Sequence, residues 1–454
     1  MSSSHLKTAG SAAGTPPRNS IRKVVFASLI GTAIEWYDFF LYGSAAALVF
    51  GPLFFPGDEP STGVLLAFGT YAVGFVARPL GGIVFGHFGD RVSRKKMLVI
   101  SLLLMGVATF AIGLLPTHET IGLAAPLLLV LCRLVQGFAV GGEWGGAVLM
   151  AAEHGEDRHR GFWSSWVQAG VPLGNLLSAV VLWILAAVQS DADFNSWGWR
   201  IPFLLSALLV LTGLWVRMSI EESPVFAEAK ELQAAKEKTR APILEVLLKY
   251  PREVAIAMGM RLAENIAYYV FTIIVITYMV TYQGMRKDAA IAGVLVGSVC
   301  QFILTPLVGA LSDRVGRRPL YLIGAAGTGL WGFAFFPLIN THNDGLIVLA
   351  IVVGLVCTTL MYAPQAAFFS ELFGTSVRYS GASLGYQLAS VFAGGLAPLI
   401  SVALLGTVDQ KNTLGVSIYL GIAAAITFVA ALVARETSGS SLRHDRVTQY
   451  EPSN

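Results

Sequence analysis

The sequence predicts an all-α membrane protein of twelve transmembrane helices arranged as two pseudo-symmetric six-helix bundles, and three observations predict it. Of 454 residues, 55% are hydrophobic and only 13% charged, against about 25% charged in soluble domains. The mean hydropathy is +0.65, so most of the chain belongs in lipid. Apolar runs long enough for a hydrocarbon core of about 30 Å recur along the whole length. A polar signature in the first half is repeated in the second.

The runs fall near 24–50, 64–86, 97–115, 124–150, 162–188 and 199–219 in the first half. In the second they fall near 253–283, 290–311, 319–340, 345–369, 382–406 and 415–434. Residues 1–23 read as a polar cytoplasmic tail, rich in Ser, Ala, Gly and Pro. The first apolar run is too long for a signal-peptide core and carries two acids, which makes it an uncleaved first span. Residues 220–252 mix charges of both signs around an Ala-rich stretch from Glu228 to Glu237 and read as a cytoplasmic linker between bundles 24–219 and 253–434. A second tail covers 435–454. Lys and Arg concentrate in the tails, the linker and alternate loops, leaving only Arg200, Arg286, Lys287 and Lys411 on the other side. The positive-inside rule therefore places both termini in the cytoplasm of a multi-pass cell-membrane protein. Cys132, Cys300 and Cys357 sit in apolar runs without CxxC spacing, which points to packing rather than disulfide or metal chemistry.

The internal repeat is specific. Gly86-His-Phe-Gly-Asp90-Arg91-Val-Ser-Arg94-Lys95 recurs as Gly309-Ala-Leu-Ser-Asp313-Arg314-Val-Gly-Arg317-Arg318, each in the loop after the second span of its half. Glu153 precedes Arg160 after the fourth span just as Glu371 precedes Arg378 after the tenth. Two signatures in the same order mark a duplicated six-helix unit.

These loops resemble the G-x-x-x-D-R-x-G-R-[KR] signature of the major facilitator superfamily. Further stretches resemble its metabolite:proton symporter family: Glu35-Trp-Tyr-Asp38-Phe, the run from Gln136 through Gly141 to Glu143-Trp-Gly-Gly, Ser196-Trp-Gly-Trp-Arg200-Ile-Pro, and Glu371-Leu-Phe with Arg378-Tyr-Ser-Gly. Members carry shikimate, 2-oxoglutarate, citrate, proline or betaine. The resemblance implies a secondary carrier that couples a small-molecule substrate to protons, with no other cofactor, no nucleic-acid partner and function as a monomer. The first loop departs from the signature at Ser93, where Gly is usual; a turn needing positive φ suits Ser less well.

Charges inside spans cost about 3 kcal/mol each and signal function by default. Glu35 and Asp38 lie on one face of the first span. Glu35 is eleven residues in, about 16 Å at helical rise, near the midplane where carrier sites lie. The chain is similar to sugar porters at Tyr37-Asp38 and Arg133, which implies that protonation of Asp38 releases Arg133; a permanent Asp-Arg brace is the alternative. Arg261, Glu264, Asn265 and Tyr268 share a face of the seventh span. Arg261 is a candidate anchor for a substrate carboxylate, or else the internal partner of Glu264. Gln168, Gln301 and Tyr386, with Trp36, Asn175, Tyr362, Gln365 and Gln387, are polar or aromatic residues near mid-span, candidates to line a cavity, with helix packing the alternative for each. Arg78 and Glu143 lie closer to the cytoplasmic side, where gating or helix packing competes with ligand contact; as intramembrane bases outside the Asp38–Arg133 couple, Arg78 and Arg261 favour an anionic substrate. Asp90, Arg91, Arg94, Asp313, Arg314 and Arg317 would form gating clusters with Glu153, Glu371 and Arg378.

The expected function is proton-coupled symport of a small mono- or dicarboxylate by alternating access. A zwitterionic osmolyte or an efflux substrate are alternatives; the tail after Arg435 has no heptads, which disfavours the first. No H-E-x-x-H or P-loop supports an enzyme or an ATP-driven pump.

Overall fold

The computed structural model describes residues 21–57, 59–91, 94–141, 157–218, 246, 248–373 and 378–439. Every regular element among them is helical. In chain order, α1 is Ile21–Ala45, extended by a π-turn at Ala46–Phe50 to Gly51–Phe54. Next come α2 at Pro60–Arg91, α3 at Arg94–Leu114, α4 at Ala124–Val140, α5 at Arg160–Val188 and α6 at Arg200–Met218. The second half holds α7 at Pro251–Tyr282, α8 at Lys287–Val315, α9 at Arg317–Ile339 and α10 at Asp344–Leu372. Arg378–Ser390 runs through a π-turn into Leu396–Leu405 as α11, and Thr413–Val433 is α12.

Among the described residues nine of these helices are long and apolar enough to cross a membrane. A tenth is α6 with the segment Asp191–Gly198, bent by 47°. The shorter apolar helices Val99–Leu114 and Ala124–Val140, in α3 and α4, complete the twelve. Several helices project beyond the apolar runs, most clearly α2, because helical hydrogen bonding continues into the polar ends that hydropathy excludes.

Pairings in the two halves match. Helix α1 packs on α5 and α6, α2 on α4, and α3 on α6; likewise α7 packs on α11 and α12, α8 on α10, and α9 on α12. The halves meet along α5 with α8 and α10, and along α2 with α11. Helices α1 and α7 are the most enclosed, with 89% and 94% of their apolar windows buried, and so line the centre. Large apolar side chains such as Val107, Leu127, Trp215 and Leu330 point outward, as a lipid-facing surface requires.

Small residues set the close contacts. A Cβ on Gly137 would collide with the Gly74 carbonyl, and one on Gly141 with the Arg78 carbonyl. This approach of α2 and α4 brings the two basic residues Arg78 and Arg133 into one aromatic layer. Helix α5 breaks at Ala169, within a turn of Pro172, where the Gly170 to Gly174 stretch of the sequence favours a bend. π-turns fall in α1, α7 and α11 and in the Phe194–Gly198 segment before α6; those at Ala46–Phe50, Val270–Ile274 and Val391–Gly395 adjoin the opposite half, where such local widenings commonly mark functional sites.

Candidate functional site

In the first half, Asp38 is 1% exposed. Its Oδ2 accepts a hydrogen bond from the Thr109 hydroxyl at 2.8 Å. Gln136 Nε2 donates to that hydroxyl at 2.6 Å, and Arg133 Nη1 donates to Gln136 Oε1 at 2.9 Å. The direct Asp38–Arg133 contact expected from the sequence is therefore replaced by a relay through Thr109 and Gln136. Gln136, one turn beyond Arg133 on the same face, reaches the guanidinium first. The rest of that guanidinium lies against aromatic rings, 4.0 Å from the centroid of Tyr42 and 4.5 Å from that of Phe39. Gln136 was legible as a neighbour of Arg133 in helical spacing; nothing in the sequence marks Thr109.

Arg78, for which the sequence leaves gating, packing and ligand contact open, lies in the same aromatic layer. Its guanidinium carbon lies 4.1 Å from the Phe39 ring centroid, 4.2 Å from Phe75 and 5.4 Å from Trp36. It is within electrostatic reach of Glu35, Tyr71 and, across the interface, Tyr269 and Tyr386. The side chain is 2% exposed, yet Nε and Nη2 have no hydrogen-bond partner among the described residues. Glu35 itself is buried beside this layer at 5% exposure.

Arg261, the anchor suggested by sequence, is instead engaged within its own half. Its Nη1 donates to Glu264 Oε2 at 2.6 Å and to Gln365 Oε1 at 2.8 Å. The Asn265 amide, oriented with its oxygen toward the guanidinium, accepts from Nη2 at 3.0 Å and from Nε at 3.3 Å. Tyr386 covers the guanidinium face at 3.6 Å. Of the two readings the sequence left open, the internal Arg261–Glu264 pair is the one observed.

Polar bridges cross between the halves at mid-depth. Asn175 on α5 donates to Ser298 on α8 at 3.0 Å, and Gln168 donates to the Tyr362 carbonyl on α10 at 3.2 Å. Gln387 donates to the Gly141 carbonyl at 3.2 Å. Phe40 meets Tyr268 with centroids 5.3 Å apart. Tyr268, Tyr362 and Gln301 are buried here.

One end of the bundle is closed by the second repeated loop. Asp313 accepts hydrogen bonds from the backbone N–H groups of Gly161 and Phe162 at 2.8 and 2.9 Å, capping α5 of the opposite half. Gly309 makes this possible, since a Cβ there would run into Ser165. Arg317 pairs with Asp313 at 2.8 Å and with Glu371 at 3.3 Å, and Arg160 pairs with Glu371 at 2.8 Å. Gly316 has φ +106°, so the second loop does use the backbone that favours Gly at this point of the signature. Beyond α12, Glu436 accepts from the N–H groups of Arg317 and Arg318 at 3.0 and 2.9 Å. Its carboxylate is held below the usual range: partial burial opposes ionisation, but four backbone donors outweigh it. Thr437 donates to Glu371 at 2.6 Å. Arg314 is exposed. Asp90 and Arg91 end α2, Arg94 opens α3 and Arg378 opens α11, but their side chains, like residues Ser93, Glu143, Glu153 and most of the 220–252 linker, lie outside the described residues. At the other end Lys287 pairs with Asp191 at 3.0 Å and donates to Asn195 at 2.9 Å.

Asp313→Asn removes one acceptor from the α5 cap and the charge that holds Arg317. Hydrogen bonds to charged groups contribute about 1.5–3 kcal/mol, so closure at this end should weaken by roughly 10- to 100-fold and transport should fall more than in Asp90→Asn. Uptake at matched expression tests this; equal losses in the two variants would contradict it.

A buried, charge-bearing interface between two similar six-helix halves, latched at both ends, defines a membrane transporter and not an enzyme. The string Gly381-Ala-Ser383-Leu-Gly385 has the spacing of a nucleophile elbow, but it lies inside α11 and not on a strand-to-helix turn. The chain belongs to the major facilitator superfamily, whose family model matches residues 28–398 and 266–446. It is 42% identical to the shikimate transporter of Escherichia coli K12, over 93% of this chain and 97% of that one. To the proline/betaine transporter of the same strain it is 34% identical, over 93% of this chain and 85% of that one. Among solved structures, the proton:xylose symporter XylE bound to 6-bromo-6-deoxy-D-glucose superposes with a TM-score of 0.74 at 17% identity, covering 93% of this chain and 97% of that one. This last likeness shows the fold.

Proposed function

We propose that this chain is a proton-coupled symporter of a small organic anion, working by alternating access with the Asp313 end and both termini in the cytoplasm. The observation that carries the reading is Arg78: a buried guanidinium at the interface of the halves with two nitrogens free of hydrogen-bond partners among the described residues. A buried cation with unused donors is costly, and a carboxylate is the group a guanidinium binds best. Protons are the coupling ion. Glu35 and Asp38 are the carriers, Asp38 speaking to Arg133 through Thr109 and Gln136. The similarity to the shikimate transporter makes a hydroxylated ring monocarboxylate the first substrate to try. A betaine-like osmolyte fits less well, because the Trp36, Phe39 and Phe75 rings that would cage a quaternary ammonium already hold Arg78.

Charge movement separates these substrates. One elementary charge crossing the membrane is worth about 2.3 kcal/mol per 100 mV and one pH unit about 1.4 kcal/mol. A monocarboxylate entering with one proton carries no net charge. Its uptake into proteoliposomes should respond to a pH difference and ignore a potassium-diffusion potential. Strong uptake driven by an inside-negative potential alone would point to a zwitterion, or to an anion moving with two or more protons.

A further inference from the structure

Gln301 is 1% exposed on α8, and neither its amide oxygen nor its amide nitrogen has a hydrogen-bond partner among the described residues. An unsatisfied primary amide at this depth calls for an explanation. The neighbouring register supplies part of one. Helices α5 and α8 run antiparallel, with Gly161 against Gly309 and Asn175 bonded to Ser298. Gln301 therefore falls level with Pro172, which has no N–H to offer it. One turn away along α8 lies Ser298, already bonded to Asn175. The hydroxyls of Tyr268 on α7 and Tyr362 on α10 are likewise buried and have no partner among the described residues. Three elements thus contribute neutral donors and acceptors with spare capacity, while the charged groups of this half are consumed by the Arg261–Glu264–Gln365 cluster.

We propose that Gln301, with the Tyr268 and Tyr362 hydroxyls, forms an uncharged subsite that reads the hydroxyl or keto groups of the substrate, while Arg78 takes its carboxylate. This rests on the anion reading above and adds the orientation of the substrate: acid toward the first half, neutral polar groups toward the second. It also makes Gln301 a specificity-determining residue. A site built to hydrogen-bond hydroxyls rejects the analogue that lacks them, because its own buried polar groups are then left unpaired.

The test is titration calorimetry on the purified full-length chain with two ligands of one shape, 3,4,5-trihydroxycyclohexane-1-carboxylate and cyclohexanecarboxylate. The trihydroxy acid should bind at least about 100-fold more tightly. In Gln301→Leu that preference should fall by roughly 10- to 100-fold, through loss of affinity for the trihydroxy acid alone. Tyr362→Phe should move the ratio in the same direction and serves if the leucine variant does not fold. Equal weakening of both acids in Gln301→Leu would mean a purely structural role and overturn the proposal. Equal binding of the two acids by the unaltered chain would overturn the subsite and leave the anion reading standing; binding of neither would end both.

Discussion

Arg78→Gln is expected to cost the protein its carboxylate substrate. Truncating one partner of a buried, hydrogen-bonded charge pair costs about 2–5 kcal/mol, which at 1.4 kcal/mol per decade is an affinity loss of roughly 30-fold to several thousand-fold. Arg78→Lys should recover only a fraction. An ammonium is a point charge without the planar fork, and Arg78 lies over the Phe39 and Phe75 rings, where the flat guanidinium packs well. The measurement is the Kd for a carboxylate ligand, with a fold control by thermal unfolding. A Kd within twofold of the unaltered chain would remove Arg78 from the binding site and return attention to Arg261.

The second large effect is on coupling. Asp38→Asn is expected to abolish accumulation of substrate against its gradient under a pH difference, while exchange of labelled for unlabelled substrate persists. Exchange needs binding and reorientation; accumulation also needs a proton to be taken up and released. An asparagine oxygen can still accept from Thr109, so the packing of Asp38 among Thr109, Gln136 and Arg133 is largely kept and the variant isolates the loss of the proton. Paired uptake and counterflow assays in proteoliposomes separate the two activities. Continued concentration of substrate by the variant would make Asp38 a brace and leave Glu35 as the carrier.

The twelve spans and the duplicated loop are legible in the sequence because each is a local property. Hydropathy sums over neighbours, and Asp313 with Arg317 sits in a short contiguous signature. What those residues do is less legible. The partners of Asp313 are two backbone N–H groups in the other half, and a backbone donor has no residue code. The sequence leaves the roles of the basic residues open for a related reason. Arg261 has acid and amide neighbours at helical spacing, which draw notice but also satisfy it. Arg78 has none within its own helix, and apart from Phe75 and Tyr71 its surroundings come from α1, α7 and α11, distant in the chain. An unpaired donor is a three-dimensional fact.

The two latches are unequal. Arg160 and Glu371 have fully buried side chains, whereas in the Lys287–Asp191 pair the aspartate is 84% exposed. Exposed pairs contribute between nothing and about 1 kcal/mol, while the Asp313 end adds to its ion pairs the two backbone donors on Asp313 and the Thr437 hydroxyl on Glu371, each such hydrogen bond to a charged group contributing about 1.5–3 kcal/mol. Gradients alone decide which way substrate flows, but latch strength decides where the empty carrier idles. A gap of a few kcal/mol between two states sets their populations apart by on the order of 100-fold. With the Asp313 end inside, as proposed, the idle protein waits with its outer mouth the readier to open. A carrier poised in that way meets scarce external substrate without first having to turn around.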